Sequence, residues 1–178
     1  LLRKDINPIT CMVMFGKTSS KKITPAQVEA RKGIAIKFWR SIEKIKGFGT
    51  QGSRKKTIAA QPVVLQAIAR LAFDLGYGRA MLKDEQALQN LWIKITNGTL
   101  DFSHSKTLWR SLMLNNAERS KSFKGIDKYV HIPSGTNLDA GTYDPETGWV
   151  RYGSKRNDIY PRLGDLIRFD LGLKSRHR

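Results

Sequence analysis

Residues 24–46 read TPAQVEARKGIAIKFWRSIEKIK, and this stretch decides the fold class. Thr24 stands where an N-cap hydroxyl is needed, and Pro25 supplies the fixed φ of a first helical position. Gln27, three residues after Thr24, completes a capping box. Beyond it Ala35, Phe38, Trp39, Ile42 and Ile45 recur at three- and four-residue steps, the spacing of one helix face. Lys37, Arg40 and Lys44 recur at the same steps on another face. The stretch therefore predicts a helix running to about Lys46, with an aromatic side toward a core and a basic side toward solvent.

Working outward, the same period returns. A second helix is expected from Gln61-Pro62 to Gly76, with Val64, Leu65, Ile68, Leu71, Ala72 and Leu75 on its apolar side. A third is expected from Lys83 to Thr96, burying Leu88, Leu91, Trp92 and Ile95, and a fourth from Ser105 to Leu114, burying Leu108, Trp109, Leu112 and Met113. Tyr160 to Leu171 closes the chain with Leu163, Leu166, Ile167 and Leu171 at helical spacing. Ile9 to Phe15 is too short an apolar run for periodicity to choose between a buried strand and a helix end. Tyr129 to Ile132 favours a strand, and Gly141 to Tyr152 reads as a hairpin turning between Asp144 and Gly148. The expected fold is mainly α: a four- to five-helix domain with a small β-hairpin appendage. Residues 1–116 would form a basic helical core, and 117–178 the hairpin appendage and closing helix packed on the same domain. Trp39, Trp92 and Trp109 should be buried together, while Tyr143, Trp149 and Tyr152 near the turn read as exposed aromatics, with the alternative that Trp149 pins the hairpin onto the helices.

A chain of 178 residues with 40% hydrophobic content can bury a core without covalent staples. Cys11 is its one cysteine, which excludes an internal disulfide and suits a reducing compartment. No apolar run approaches the ~20 residues that cross a bilayer, and the first residues do not read as a signal peptide. A cytoplasmic protein with no membrane partner is expected. The chain starts on an apolar pair rather than Met, as a piece of a longer protein would.

Charge is the main functional signal. The net charge is +17, and residues 17–56 carry twelve Lys or Arg against Glu29 and Glu43 alone. Residues 74–101 sum to −1, and the basic excess resumes in 151–178. Like charges at this density destabilise a compact state unless a polyanion neutralises them, so nucleic acid is the first partner to consider and duplex DNA the favoured form. The candidate contacts are Lys37, Arg40 and Lys44 on the helix, Arg54, Lys55 and Lys56 in what should be an exposed loop, and Arg151, Lys155 and Arg156, with further C-terminal basic residues in support. RNA is the alternative partner, and an unrecognised nuclease is a third reading.

The motifs that could carry catalysis sit in the wrong context. Gly47-Phe-Gly-Thr-Gln-Gly52 matches a dinucleotide-binding string, but such glycines should follow a strand and open a helix, and here they follow a helix. Gly16-Lys17-Thr18 resembles the end of a phosphate loop, but the first glycine of that motif falls on Cys11, and Met12 to Phe15 are too bulky to wrap a phosphate. His104-Ser105-Lys106 lacks the acid that a histidine nucleophile of that pattern would have, because Ser111 takes the place. His131 and His177 have no ligand-like neighbours, and Asp144 and Glu146 read as turn residues, so Asp139 and Lys155 complete no nuclease site. No catalytic residue, metal ligand or cofactor is assigned, and the chain by itself is not expected to be an enzyme.

Thr57-Ile-Ala-Ala-Gln-Pro-Val-Val-Leu-Gln-Ala-Ile-Ala-Arg-Leu71, then Leu100-Asp-Phe-Ser-His-Ser105 with Leu108-Trp-Arg110, and finally Arg162-Leu-Gly-Asp-Leu-Ile167 with Leu171-Gly-Leu173, resemble in order and spacing the C-terminal helical part of DGQHR-domain proteins. That family includes the DndB component of DNA sulfur modification. The resemblance implies an N-terminal ParB-like domain of the same protein, whose signature this sequence does not contain. It also implies a role in DNA modification and phage defence, binding DNA and regulating modification genes. Residues 116–160 depart from the family pattern.

Overall fold

The computed structural model describes residues 3–133, 139–153 and 155–177. The ambiguous run at 9–15 is helical: α1 spans Arg3–Phe15 and buries Asp5, Ile9, Met12 and Val13, which fall on one face at four-, three- and one-residue steps. α2, Pro25–Ile42, begins as expected, with the Thr24 hydroxyl accepting from the Gln27 amide at 3.3 Å and the Thr24 amide donating to the Gln27 side chain at 2.9 Å. It stops at Ile42 rather than Lys46, and Ile45 reaches the core from a turn. The basic loop at 53–56 is itself a single helical turn, α3, Ser53–Lys56.

α4, Pro62–Tyr77, is the centre of the fold. Eleven of its sixteen residues are buried, so it is apolar nearly all round, and a helix of that kind is stable only when surrounded. It packs against α1, α7 and α5, Glu85–Thr96, whose N-terminus is capped by Asp84 accepting from the Ala87 amide at 2.8 Å. α2 closes over α1 and α5. α6, Asn116–Ser122, carries a second capping box made by Asn115 and Glu118 in a stretch where no helix is expected from apolar spacing. The hairpin pairs β1, Gly141–Asp144, with β2, Trp149–Tyr152, antiparallel in the register Gly141 to Tyr152 and Asp144 to Trp149. α7, Arg156–Leu171, lies on α4. Five of the described helices exceed two turns, so the mainly α fold with a small hairpin is as the sequence predicts.

Three expectations are corrected. Residues 107–113 form a 3₁₀-helix rather than an α-helix. The carbonyls of Trp109 and Ser111, which would bond four residues onward in an α-helix, instead accept the Tyr152 hydroxyl at 2.6 Å and the Arg119 Nε at 2.9 Å. Residues 129–132 form no strand: Tyr129 packs edge-on against Phe169 and its hydroxyl donates to the Leu173 carbonyl, while the side-chain amide of Asn116 donates to the Ile132 carbonyl. The three tryptophans lie in or against one hydrophobic core, but in two separate ring contacts, and Trp39 is not fully buried. Trp92 and Trp39 meet Phe38, with Trp39 only half-buried, whereas Trp109 is fully buried and stacks on Phe102 at 5.6 Å.

Five arginines serve the fold itself. Arg70 and Arg168 flank the buried Asp74 at 2.9 and 3.8 Å, and Arg176 grips the buried Asp165 through two bonds of 2.6 and 2.8 Å, tying the C-terminal tail to α7. Burial pulls the Arg168 pKa down, against the opposing pull of Asp74 and Asp165. Arg119 is buried on backbone carbonyls, and Arg31 donates to the Met14 carbonyl while lying over the Tyr77 ring. Arg31, Arg168 and Arg176 are therefore structural members of the two basic blocks, while Arg178 lies outside the described residues.

Candidate nucleic-acid interface

β2 has one edge paired with β1 and the other turned toward the helices, where its exposed backbone groups need partners. Gln61, just ahead of α4, supplies two of them: its amide nitrogen donates to the Val150 carbonyl and its amide oxygen accepts from the Tyr152 amide, each at 2.9 Å. The side chain substitutes for a neighbouring strand. His104 supplies the third, accepting the Val150 amide on Nδ1 at 3.0 Å. With Nδ1 acting as acceptor, Nε2 carries the hydrogen and donates to the Arg54 carbonyl at 2.9 Å. One imidazole thus joins α3 to β2. On the other edge Gly141, at φ +128°, lets β1 approach β2; a Cβ there would stand 1.9 Å from the Arg151 carbonyl oxygen.

These bonds shape a cleft of about 750 Å³ between α3, the start of α4, β2 and the start of α7. Four of the candidate cations line it: Arg54 and Lys55 from the first basic block, Arg151 and Arg156 from the second. α7 begins one turn earlier than expected because Pro161 is accommodated inside it, and that extra turn carries Arg156 to the cleft. Arg156 is anchored there by the buried Asp5 of α1 at 3.0 Å. Among the described residues no carboxylate lines the cleft, and Arg54, Lys55 and Arg151 make no ion pair. Trp149 stands among them, half-buried, with the Lys55 ammonium and the Arg151 guanidinium each 5.2 Å from its ring centre.

The other sequence candidates lie elsewhere on the surface. Lys37, Arg40 and Lys44 are exposed along and just past α2, and Lys56 is exposed beside a second depression bordered by Lys46, Asp101 and Ser103. Lys155 is exposed at the start of α7. Of the aromatic residues expected to be exposed, Tyr152 is turned inward. Burial raises its pKa and its hydroxyl is held by the Trp109 carbonyl, whereas Tyr143 remains at the surface under Arg110 at 4.7 Å.

The glycine string at 47–52 forms turns between α2 and α3, and Gly16 follows a helix rather than a strand. Asp144 is a turn residue, its carboxylate accepting from the Thr147 hydroxyl at 2.7 Å and the Glu146 amide at 2.9 Å. Among the described residues no group of three or more His, Cys, Asp or Glu side chains is placed to hold a metal ion, and no helix is long and apolar enough to cross a membrane. No family model, curated protein or solved structure matches the chain.

Neither Gln61 nor His104 is assigned to the site by the sequence alone. Gln61 reads there as a helix start and His104 as part of a capped helix start, because the partners that define their roles are 89 and 46 residues away.

Proposed function

We propose that this chain is a nucleic-acid-binding helical domain that holds the phosphate backbone of duplex DNA, in the manner expected of a DndB-like protein associated with DNA modification, phage defence or its regulation. One observation carries the reading. Two basic blocks about a hundred residues apart in sequence meet at one cleft that no carboxylate lines among the described residues, where Arg54, Lys55 and Arg151 present charge that no ion pair among those residues takes up. Phosphate contacts of this kind position a duplex without reading its sequence. Lys37, Arg40, Lys44, Lys56 and Lys155 extend the basic surface beyond the cleft as outer contacts.

The test is binding of a 20-base-pair DNA duplex, competed by a structured RNA hairpin, across a series of salt concentrations. Joint replacement of Arg54, Lys55 and Arg151 by Ala is expected to weaken duplex binding and flatten the log K against log salt slope by about 2 to 3, because each phosphate that a cation neutralises adds ~0.9 to that slope. An unchanged slope removes the cleft from the interface. Tighter binding of the RNA hairpin favours the ribonucleic-acid reading instead, and metal-dependent cleavage of either probe would point to a nuclease.

A further inference from the structure

The groups lining the cleft divide into those already satisfied and those still free. Gln61 has its amide oxygen and nitrogen bonded to β2, both ring nitrogens of His104 are engaged, and Pro62 offers only apolar surface. Among the described side chains that line the cleft, the Trp149 ring and the cations Arg54, Lys55 and Arg151 remain. Lys55 and Arg151 lie over the Trp149 ring, an arrangement that is weak at a solvent-accessible site because water competes for both charges. A phosphate offers these cations a stronger, charge-assisted partner, and a nucleobase offers the ring a larger stacking face. A single nucleotide supplies both at once. A paired nucleotide inside a duplex supplies the phosphate but not the stacking face, because its base is covered by its neighbours in the stack.

We infer that the cleft receives one unpaired nucleotide of the bound DNA, its base stacked on Trp149 and its phosphate held by Arg54, Lys55 and Arg151. This rests on the nucleic-acid-binding reading above and deepens it. The volume of about 750 Å³ lies within the ~300–1,000 Å³ usual for sites that enclose a small ligand. The fixed floor serves the same end, because Gln61 and His104 hold β2, and with it Trp149 and Arg151, in place opposite Arg54 before any ligand arrives.

The experiment compares three probes at one salt concentration: a fully paired 20-base-pair DNA duplex, the same duplex with one bulged thymidine, and the same duplex with an abasic bulge. The wild-type protein is expected to bind the thymidine bulge about tenfold more tightly than either of the others, within the ~5- to 150-fold range of one base stacked on an aromatic ring. Trp149→Ala should abolish that preference, and Trp149→Phe should keep most of it. Equal binding of the bulged and paired probes overturns the inference and leaves backbone binding standing. So does equal binding of the thymidine and abasic bulges, which assigns any preference to flexibility of the DNA. No binding of any probe sinks both readings together. Should Trp149→Ala melt below the assay temperature, the comparison of thymidine with abasic bulge on the wild-type protein and on Trp149→Phe decides alone.

Discussion

Replacing Gln61 by Met tests whether the hairpin is held by a side chain acting as a strand. Methionine keeps the length and the unbranched shape but offers neither the donor to the Val150 carbonyl nor the acceptor for the Tyr152 amide, both bonds of 2.9 Å. Each such bond contributes ~0.5–1.5 kcal/mol net, and leaving the two backbone groups unpaired beside the fully buried Val150 adds a desolvation cost, for a total of about 2–3 kcal/mol. In a chain of 178 residues each kcal/mol corresponds to ~2–4 °C, so the melting temperature should fall by about 4–12 °C. Gln61 precedes α4 without capping it through its side chain, so the loss belongs to the hairpin and not to the helix start. Circular dichroism gives the melting temperature, and amide hydrogen exchange locates the effect, with the Tyr152 amide exchanging faster while amides in the middle of α4 shift only with global stability. A melting temperature within about 1 °C of wild type, together with unchanged exchange at Tyr152, would refute the strand-substitute role.

Trp109→Ala should cost about 3–5 kcal/mol in urea unfolding, because the ring is fully buried against Phe102 and its indole also donates to the Asp101 carbonyl. Trp39→Ala should cost clearly less, because that ring is half-exposed and bonds only the Thr10 hydroxyl; equal losses would contradict the separation of the two aromatic clusters. Asp144 should titrate below its ordinary value of 3.8, held down first by the Thr147 hydroxyl and then by the Glu146 amide. A lowered folded-state pKa means that the turn gains stability above the ordinary value and loses it as pH falls through the lowered one. NMR titration should show this and should show the value rising toward 3.8 in Thr147→Val; a titration at 3.8 in the wild type would contradict the turn geometry.

The sequence by itself determined the elements whose signals are local. The Thr24 and Gln27 box, the apolar surround of α4 and the Asp144 turn each depend on residues within about four positions of one another, the distance over which a chain can form a hydrogen bond or a helix face without help. It also determined the charge imbalance, which is a matter of counting. The tertiary structure alone decided which charges remain free. Arg31, Arg119, Arg168 and Arg176 look like Arg54 and Arg151 in the sequence, but the first four sit where the packed helices present carbonyls or carboxylates to them. The same long-range packing turned 107–113 into a 3₁₀-helix, by drawing its carbonyls to Tyr152 and Arg119. It left the β-prone residues 129–132 without a strand partner and brought Lys55 and Arg151 to one indole. Gln61 and His104 define the cleft only because folding brings β2 beside them. Strand propensity and surface charge describe what a residue can do, and the backbone groups and ions that the core sets next to it determine which of those things it does.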